Sequence, residues 1–174
     1  MELKSCSKQT NFLASPISEN RVRIILQPPV MWRTFIKSLS PDCEFVSAPA
    51  PRAIVAAQNS LHLEFPAELL SLFDESDGAM GEYGLGLIWP LARIVEDNLR
   101  FRSDPEFREL YMPFDHLLFF ADAGNGDQFA YSICGGEVRR SDIFAWGHEN
   151  DSRSWVAPSL RTYLDWWLTD RIKL

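Results

Sequence analysis

Asn125-Gly126 lies between two apolar runs, Leu117 to Ala121 (LLFFA) and Gln128 to Ile133 (QFAYSI), and no other dipeptide constrains the fold as strongly. Asn and Gly both take positive φ readily. Two-residue hairpin turns need that, because only mirror-image turns match the right-handed twist of the flanking strands. The two runs are therefore predicted to pair antiparallel. Gly135-Gly136 starts another turn into Glu137 to Arg139, and Asp142 to Gly147 (DIFAWG) follows as a further strand. His148 to Asp151 (HEND) reads as a polar turn. A meander of this kind belongs to an antiparallel sheet.

Helical spacing surrounds the meander. After an alternating charged and aliphatic strand at Arg21 to Leu26 (RVRIIL), Val30, Phe35, Ile36 and Leu39 predict a first helix from Pro29 to about Ser38. A second is expected over Arg52 to Ser60, with Ile54, Val55 and Ala57 inward. In Glu64 to Gly78 (EFPAELLSLFDESDG), Pro66 suits the first helical position, where no N–H is needed, and Leu69, Leu70 and Phe73 share a face. Glu68 favours the helix dipole, and Asp77-Gly78 supplies the stop. Tyr83 to Trp89 (YGLGLIW) reads as a strand bounded by Pro90, which opens a helix with Leu91, Ile94 and Val95 inward, ending near Asn98. Asp104-Pro105 starts another, carrying Phe107 and Leu110. Ser159 is a good N-cap for a closing helix to Leu168, whose apolar stripe is Leu160, Tyr163, Leu164, Trp167 and Leu168. Helices segregated from a hairpin-connected sheet imply an α+β domain.

Charge narrows the range of partners. Residues 53–174 carry ten basic and twenty acidic side chains, and no Lys or Arg occurs between Arg52 and Arg93. Such an acidic field repels nucleic acid and membrane surfaces and attracts basic partners, although it also serves plain solubility. The opening residues lack the apolar run of a secretory signal, and no stretch reaches the roughly 20 apolar residues of a membrane span. Cytoplasm is the expected compartment. Cys6, Cys43 and Cys134 form neither a disulfide framework nor a zinc signature, and Cys134 reads as a small buried residue at a strand end. His62, His116 and His148 stand far apart, with no HExxH, no GxSxG elbow and no phosphate-binding glycine loop. DAGNGD (Asp122 to Asp127) lacks the ligand order of a calcium loop and reads as a hairpin turn. Sequence spacing is silent on a carboxylate pair among the acids. No catalytic residue, cofactor or metal is expected. Trp89, Phe119, Phe120, Phe129, Tyr131, Phe144, Trp146 and Trp167 are expected in the core. Trp155 and Trp166 are harder to place inside, and Trp155 is either a binding hot spot or a cap on the sheet edge.

Four blocks, in order, resemble the SUKH superfamily, which contains bacterial toxin-immunity domains and fungal cell-wall assembly regulators. They are EFPAELLSLFDESDG (Glu64 to Gly78), GLGLIWPLARIVEDN (Gly84 to Asn98), LLFFADAGNGDQFAYSI (Leu117 to Ile133) and DIFAWGHENDSRSWVAPSLRTYLDWW (Asp142 to Trp167). The resemblance implies a mainly antiparallel twisted β-sheet with helices packed beside it. It divides the chain into an N-terminal extension, residues 1–49, and a SUKH-like domain, residues 50–174. For bacterial members it implies a frequent role in neutralising a toxin, with no shared catalytic residues. Many toxins are nucleases with basic clefts, so the acids Asp74, Glu75, Asp77, Glu82, Asp122 and Asp127, with Trp155, are the expected contacts to a basic toxin domain. The alternative is a regulatory or scaffolding domain without a toxin partner. Either a monomer or a homodimer suits the Trp content.

Overall fold

The computed structural model describes residues 31–174. The strand expected at residues 21–26 lies outside the described residues. The described residues form six helices and seven strands in α+β order. Helices α1 (Trp32–Leu39), α2 (Pro51–Leu61) and α3 (Ala67–Phe73) come first, with the two-residue strand β1 (Glu44–Phe45) between α1 and α2. Strands β2 (Ala79–Met80) and β3 (Gly86–Ile88) follow, then α4 (Leu91–Ser103) and α5 (Pro105–Leu110). The meander is β4 (Leu117–Asp122), β5 (Gln128–Ser132), β6 (Ile143–Gly147) and β7 (Ser152–Ala157), closed by α6 (Leu160–Leu168).

The strands make two antiparallel sheets, β1-β2-β3 and β4-β5-β6-β7. They are stitched together where the Trp89 N–H donates to the Phe120 carbonyl at 2.7 Å. Asn125-Gly126 sits in the β4–β5 connection as expected, but the connection is the five-residue loop 123–127, closed by the Ala123 N–H donating to the Asp127 carbonyl, and Gly124 and Gly126 rather than Asn125 take the positive φ. Side-chain alternation divides the core into two layers. On one face Tyr163 of α6 packs against Phe120 and Phe129, with ring centroids at 5.5 and 4.7 Å. On the other, Phe101 of α4 meets Phe119 at 5.1 Å and Trp146 at 6.3 Å. The meander is thus covered on both sides, which explains why β4 reads as a continuous apolar run rather than an alternating one.

One buried polar side chain fixes α4 to the sheet. Asn98, fully buried, donates to the Phe119 carbonyl at 2.8 Å and accepts from the Phe119 N–H at 2.9 Å. The amide thereby acts as an extra rung on β4 and satisfies backbone groups that would otherwise be buried without partners.

Several local expectations shift. Helix α4 runs past Asn98 to Ser103, because Asn98 spends its side chain on the sheet instead of ending the helix and Phe101 adds another core turn. Pro66 is the N-cap of α3, one residue before the first helical position. Val55 and Leu110 point outward, being 55% and 72% exposed, and the buried residues of α2 are Ala57 and, one turn on, Leu61. Strand β3 is shorter than Tyr83 to Trp89, since residues Glu82–Gly84 form a single 3-10 turn. Strand β7, unforeseen, carries Ser152, Ser154 and Trp155 outward. Cys134 is exposed at a turn, contrary to expectation, because Gly135 and Gly136 carry the chain away from the sheet there. Among the described residues Cys43 is the buried thiol, and burial pushes its pKa up to about 11.

Candidate functional site

The loop between β2 and β3 stands out from the body of the domain. Its hydrogen bonds are local: the Gly81 N–H donates to the Leu85 carbonyl at 2.8 Å and the Leu85 N–H to the Glu82 carbonyl at 3.1 Å. Glycines at both ends make so tight a loop possible, and Gly84 takes φ +76°. Tyr83 occupies the left-handed region at φ 56° with its side chain fully exposed. An L-residue with a bulky side chain pays roughly 1–2 kcal/mol for that conformation. No packing gain offsets the cost, so the fold holds this ring in water under backbone strain.

Apolar and acidic groups flank the loop. Met80 and Val46 are both exposed, and Met80 pairs across the β1–β2 ladder with Glu44. Glu82, Tyr83 and Leu85 line a cleft of about 540 Å³ with Asp122 and the glycines of the β4–β5 turn. Only glycine fits at position 124 without displacement, because a Cβ there would lie 3.2 Å from Leu85 Cδ1. A narrower crevice containing Glu44, Val46, Met80 and Asp77 meets this cleft at Gly84.

The seven residues picked from the sequence separate into distinct environments. Glu82 is exposed beside Tyr83 and lines the cleft with Asp122. The Asp122 carboxylate is held by Arg93 in a bidentate pair at 2.7 and 3.0 Å, and Arg93 also bonds Asp97 and stacks over Trp89 at 4.2 Å. Burial alone would lower the Arg93 pKa, but the hydrogen bonds with Asp122 and Asp97 outweigh it and leave it raised. Asp77 accepts from the Leu91 N–H at 2.7 Å and so caps α4. Glu75 accepts from the Trp32 and Arg33 N–H groups at 2.8 and 3.0 Å and caps α1. Asp74 is exposed at the end of α3. Asp127 and Trp155 line a different groove, beyond the C-terminal end of α6.

In that second groove Asp127 accepts from the His148 backbone N–H at 3.0 Å, and His148 Nδ1 lies 2.7 Å from the same oxygen. Burial alone would raise the Asp127 pKa; the hydrogen bonds from His148 and Asn125 hold it below the ordinary carboxylate value. Trp155, half exposed on the edge strand β7, donates its indole N–H to Asp142 at 2.9 Å and meets Trp166 edge-on at 6.3 Å. His116 sits against Arg153, and burial together with that guanidinium lowers its pKa. Among the described residues no group of three or more His, Cys, Asp or Glu is placed to hold a metal ion, and no helix is long and apolar enough to cross a membrane.

Sequence reasoning therefore found Glu82 and Asp122 but passed over Tyr83, Met80 and Val46. Gly81-Glu82-Tyr83-Gly84 did carry a signal, since two glycines bracketing an aromatic residue mark a loop tip more than a strand.

A comparison with curated proteins gives no match. A comparison with family models matches residues 48–166, from the connector before α2 into α6, to the SMI1 / KNR4 family (SUKH-1). The match covers both sheets except β1, and the helices on either side of the meander, so the architecture and the sequence agree. The chain belongs to the SMI1 / KNR4 family, SUKH-1, of the SUKH superfamily.

Proposed function

We propose that this chain is a non-enzymatic protein-binding domain, an immunity protein that neutralises a cognate toxin, and that the Tyr83 loop is the centre of its binding face. The family includes immunity proteins and cell-wall regulators, which makes protein binding the activity to test first. The observation that carries the reading is Tyr83, kept exposed in a strained conformation at a loop tip, with Glu82 beside it and the crevice of Met80, Val46 and Glu44 adjoining at Gly84. Aromatic rings at interfaces bring a large apolar area and a hydroxyl at small entropic cost, and they recur among the residues that dominate binding energy. The acids around it suit a partner that is basic, such as the substrate cleft of a nuclease, and would raise the association rate as well as the affinity.

Asp122 and Asp77 contribute less directly. Their carboxylates are committed to Arg93 and to α4, so they shape the face rather than bind through it. Near the Tyr83 loop, Glu82 and Glu44 are exposed and open to a partner. Co-expression with a growth-inhibiting toxin domain that the chain captures tests the reading: the wild-type chain restores growth, and Tyr83→Asp fails to. Equal rescue by both would sink the assignment of the face. Absence of any inhibited toxin, with weak binding to several proteins instead, would favour a regulatory scaffold.

A further inference from the structure

At the other end of α4 lies a groove that the Tyr83 face does not use. Arg93 and Arg102 are nine positions apart, which at 1.5 Å per residue puts the two regions roughly 14 Å apart along the helix. Phe101, Phe107, Tyr111 and Phe114 wall a groove of about 350 Å³, their rings packed together at centroid distances between 5.0 and 6.1 Å. The deeper rings, Phe101 and Phe114, are buried, whereas Phe107 and Tyr111 keep part of their surface open. Met112 at the rim is 56% exposed and Leu110 beside it 72% exposed. Together they extend the apolar surface beyond the groove.

Two guanidinium groups share the wall. Arg102 donates from Nη2 to the Leu117 carbonyl at 2.9 Å, while its Nε is buried with no hydrogen-bond partner. Arg108 donates to the Arg102 carbonyl at 3.2 and 2.9 Å. Neither forms an ion pair among the described residues, although the chain holds 24 acids to 17 bases. Asp115 also lines the groove, and its field partly offsets the burial that lowers the Arg102 pKa, without forming an ion pair. The Arg102 Nε is shut off from the groove, so the donor Arg102 can offer an occupant is its terminal Nη1, which is neither hydrogen-bonded nor buried.

We propose that this groove docks an extended segment of a partner protein in which an aromatic or aliphatic side chain stands next to a carboxylate. The apolar side chain enters between Phe107, Tyr111 and Met112, and the carboxylate takes charge-assisted hydrogen bonds from Arg102 and Arg108. A protein segment fits better than a small acid, because Leu110 and Met112 continue the apolar surface past the volume a small molecule would fill. The segment is opposite in charge to the basic partner suited to the Tyr83 face, so this inference stands independently of that reading.

Panning random linear peptides on phage against the full chain tests it. Enriched peptides are expected to place Asp or Glu close to Phe, Trp or Leu. Fluorescence polarisation with an enriched peptide should show affinity falling about tenfold in Arg108→Glu and in Met112→Asp, both exposed positions, and unchanged in Tyr83→Ala. Failure to enrich, enrichment of basic peptides, or affinity indifferent to both groove substitutions would overturn the proposal.

Discussion

Tyr83 separates a residue kept for binding from one kept for stability, because the two roles predict opposite effects of a single substitution. Glycine at this position relieves the left-handed strain at φ 56° but adds entropy to the unfolded chain. The net expectation is that Tyr83→Gly raises unfolding free energy by about 0.5–1 kcal/mol while weakening partner binding; urea titration and a binding assay on the same variant check both halves. Asn98 is the reverse case. Its amide satisfies both backbone groups of Phe119, so Asn98→Ala should cost about 2–4 kcal/mol in urea unfolding without touching either proposed surface. Asp127 gives a pH signature. Its folded pKa lies below the unfolded value, so it contributes stability that is present above about pH 4 and is lost as pH falls through the folded pKa. Thermal unfolding followed over that range should fall less steeply for Asp127→Asn than for the wild type.

Local punctuation made most elements legible in the sequence. Asn125-Gly126 located the central hairpin, Asp104-Pro105 opened α5 with the Asp104 carboxylate accepting from the Glu106 N–H, and Ser159 caps α6 through the Thr162 N–H. Each of those signals acts within a few residues of itself. Strand β7 carries none: it alternates weakly, its Trp155 faces water, and its place at the sheet edge depends on pairing with β6. Long-range caps were equally invisible. Glu75 caps the start of α1 across 43 positions of sequence, and Glu68 accepts from the Leu160 N–H at the start of α6 across 92. From the sequence, Glu68 reads as a first-turn acid of its own helix and Glu75 as a contact to a partner. Removing the α1 cap by Glu75→Ala should cost about 1–2 kcal/mol and loosen α1 first, which hydrogen exchange at Trp32 and Arg33 would register as early loss of protection.

Across the whole molecule, charge read from sequence overstated how many acids a partner can meet. It counts carboxylates but not their bonds, and Glu75, Asp77, Asp122 and Asp127 are each engaged inside the fold. The acids that stay exposed are spread over the molecule, Glu64, Asp74, Glu96 and Glu109 among them, and two of them, Glu44 and Glu82, flank exposed apolar groups near the Tyr83 loop. The four blocks that resembled the SUKH superfamily were legible because they are structural punctuation shared by a fold. The binding face was not, because it depends on one backbone torsion and on which side chains the sheet leaves uncovered. The domain thus presents an acidic, aromatic face at one end of α4 and a cationic, aromatic groove at the other, suited to partners of opposite charge.

The most direct test is affinity capture from a lysate of the source organism, quantified by mass spectrometry, with wild-type bait beside Tyr83→Asp and Glu82→Lys. The account predicts one dominant basic partner that survives a moderate-salt wash on the wild-type chain and is depleted from both variants. Retention of that same partner by the variants, or only weak and salt-sensitive proteins on the wild type, would contradict it.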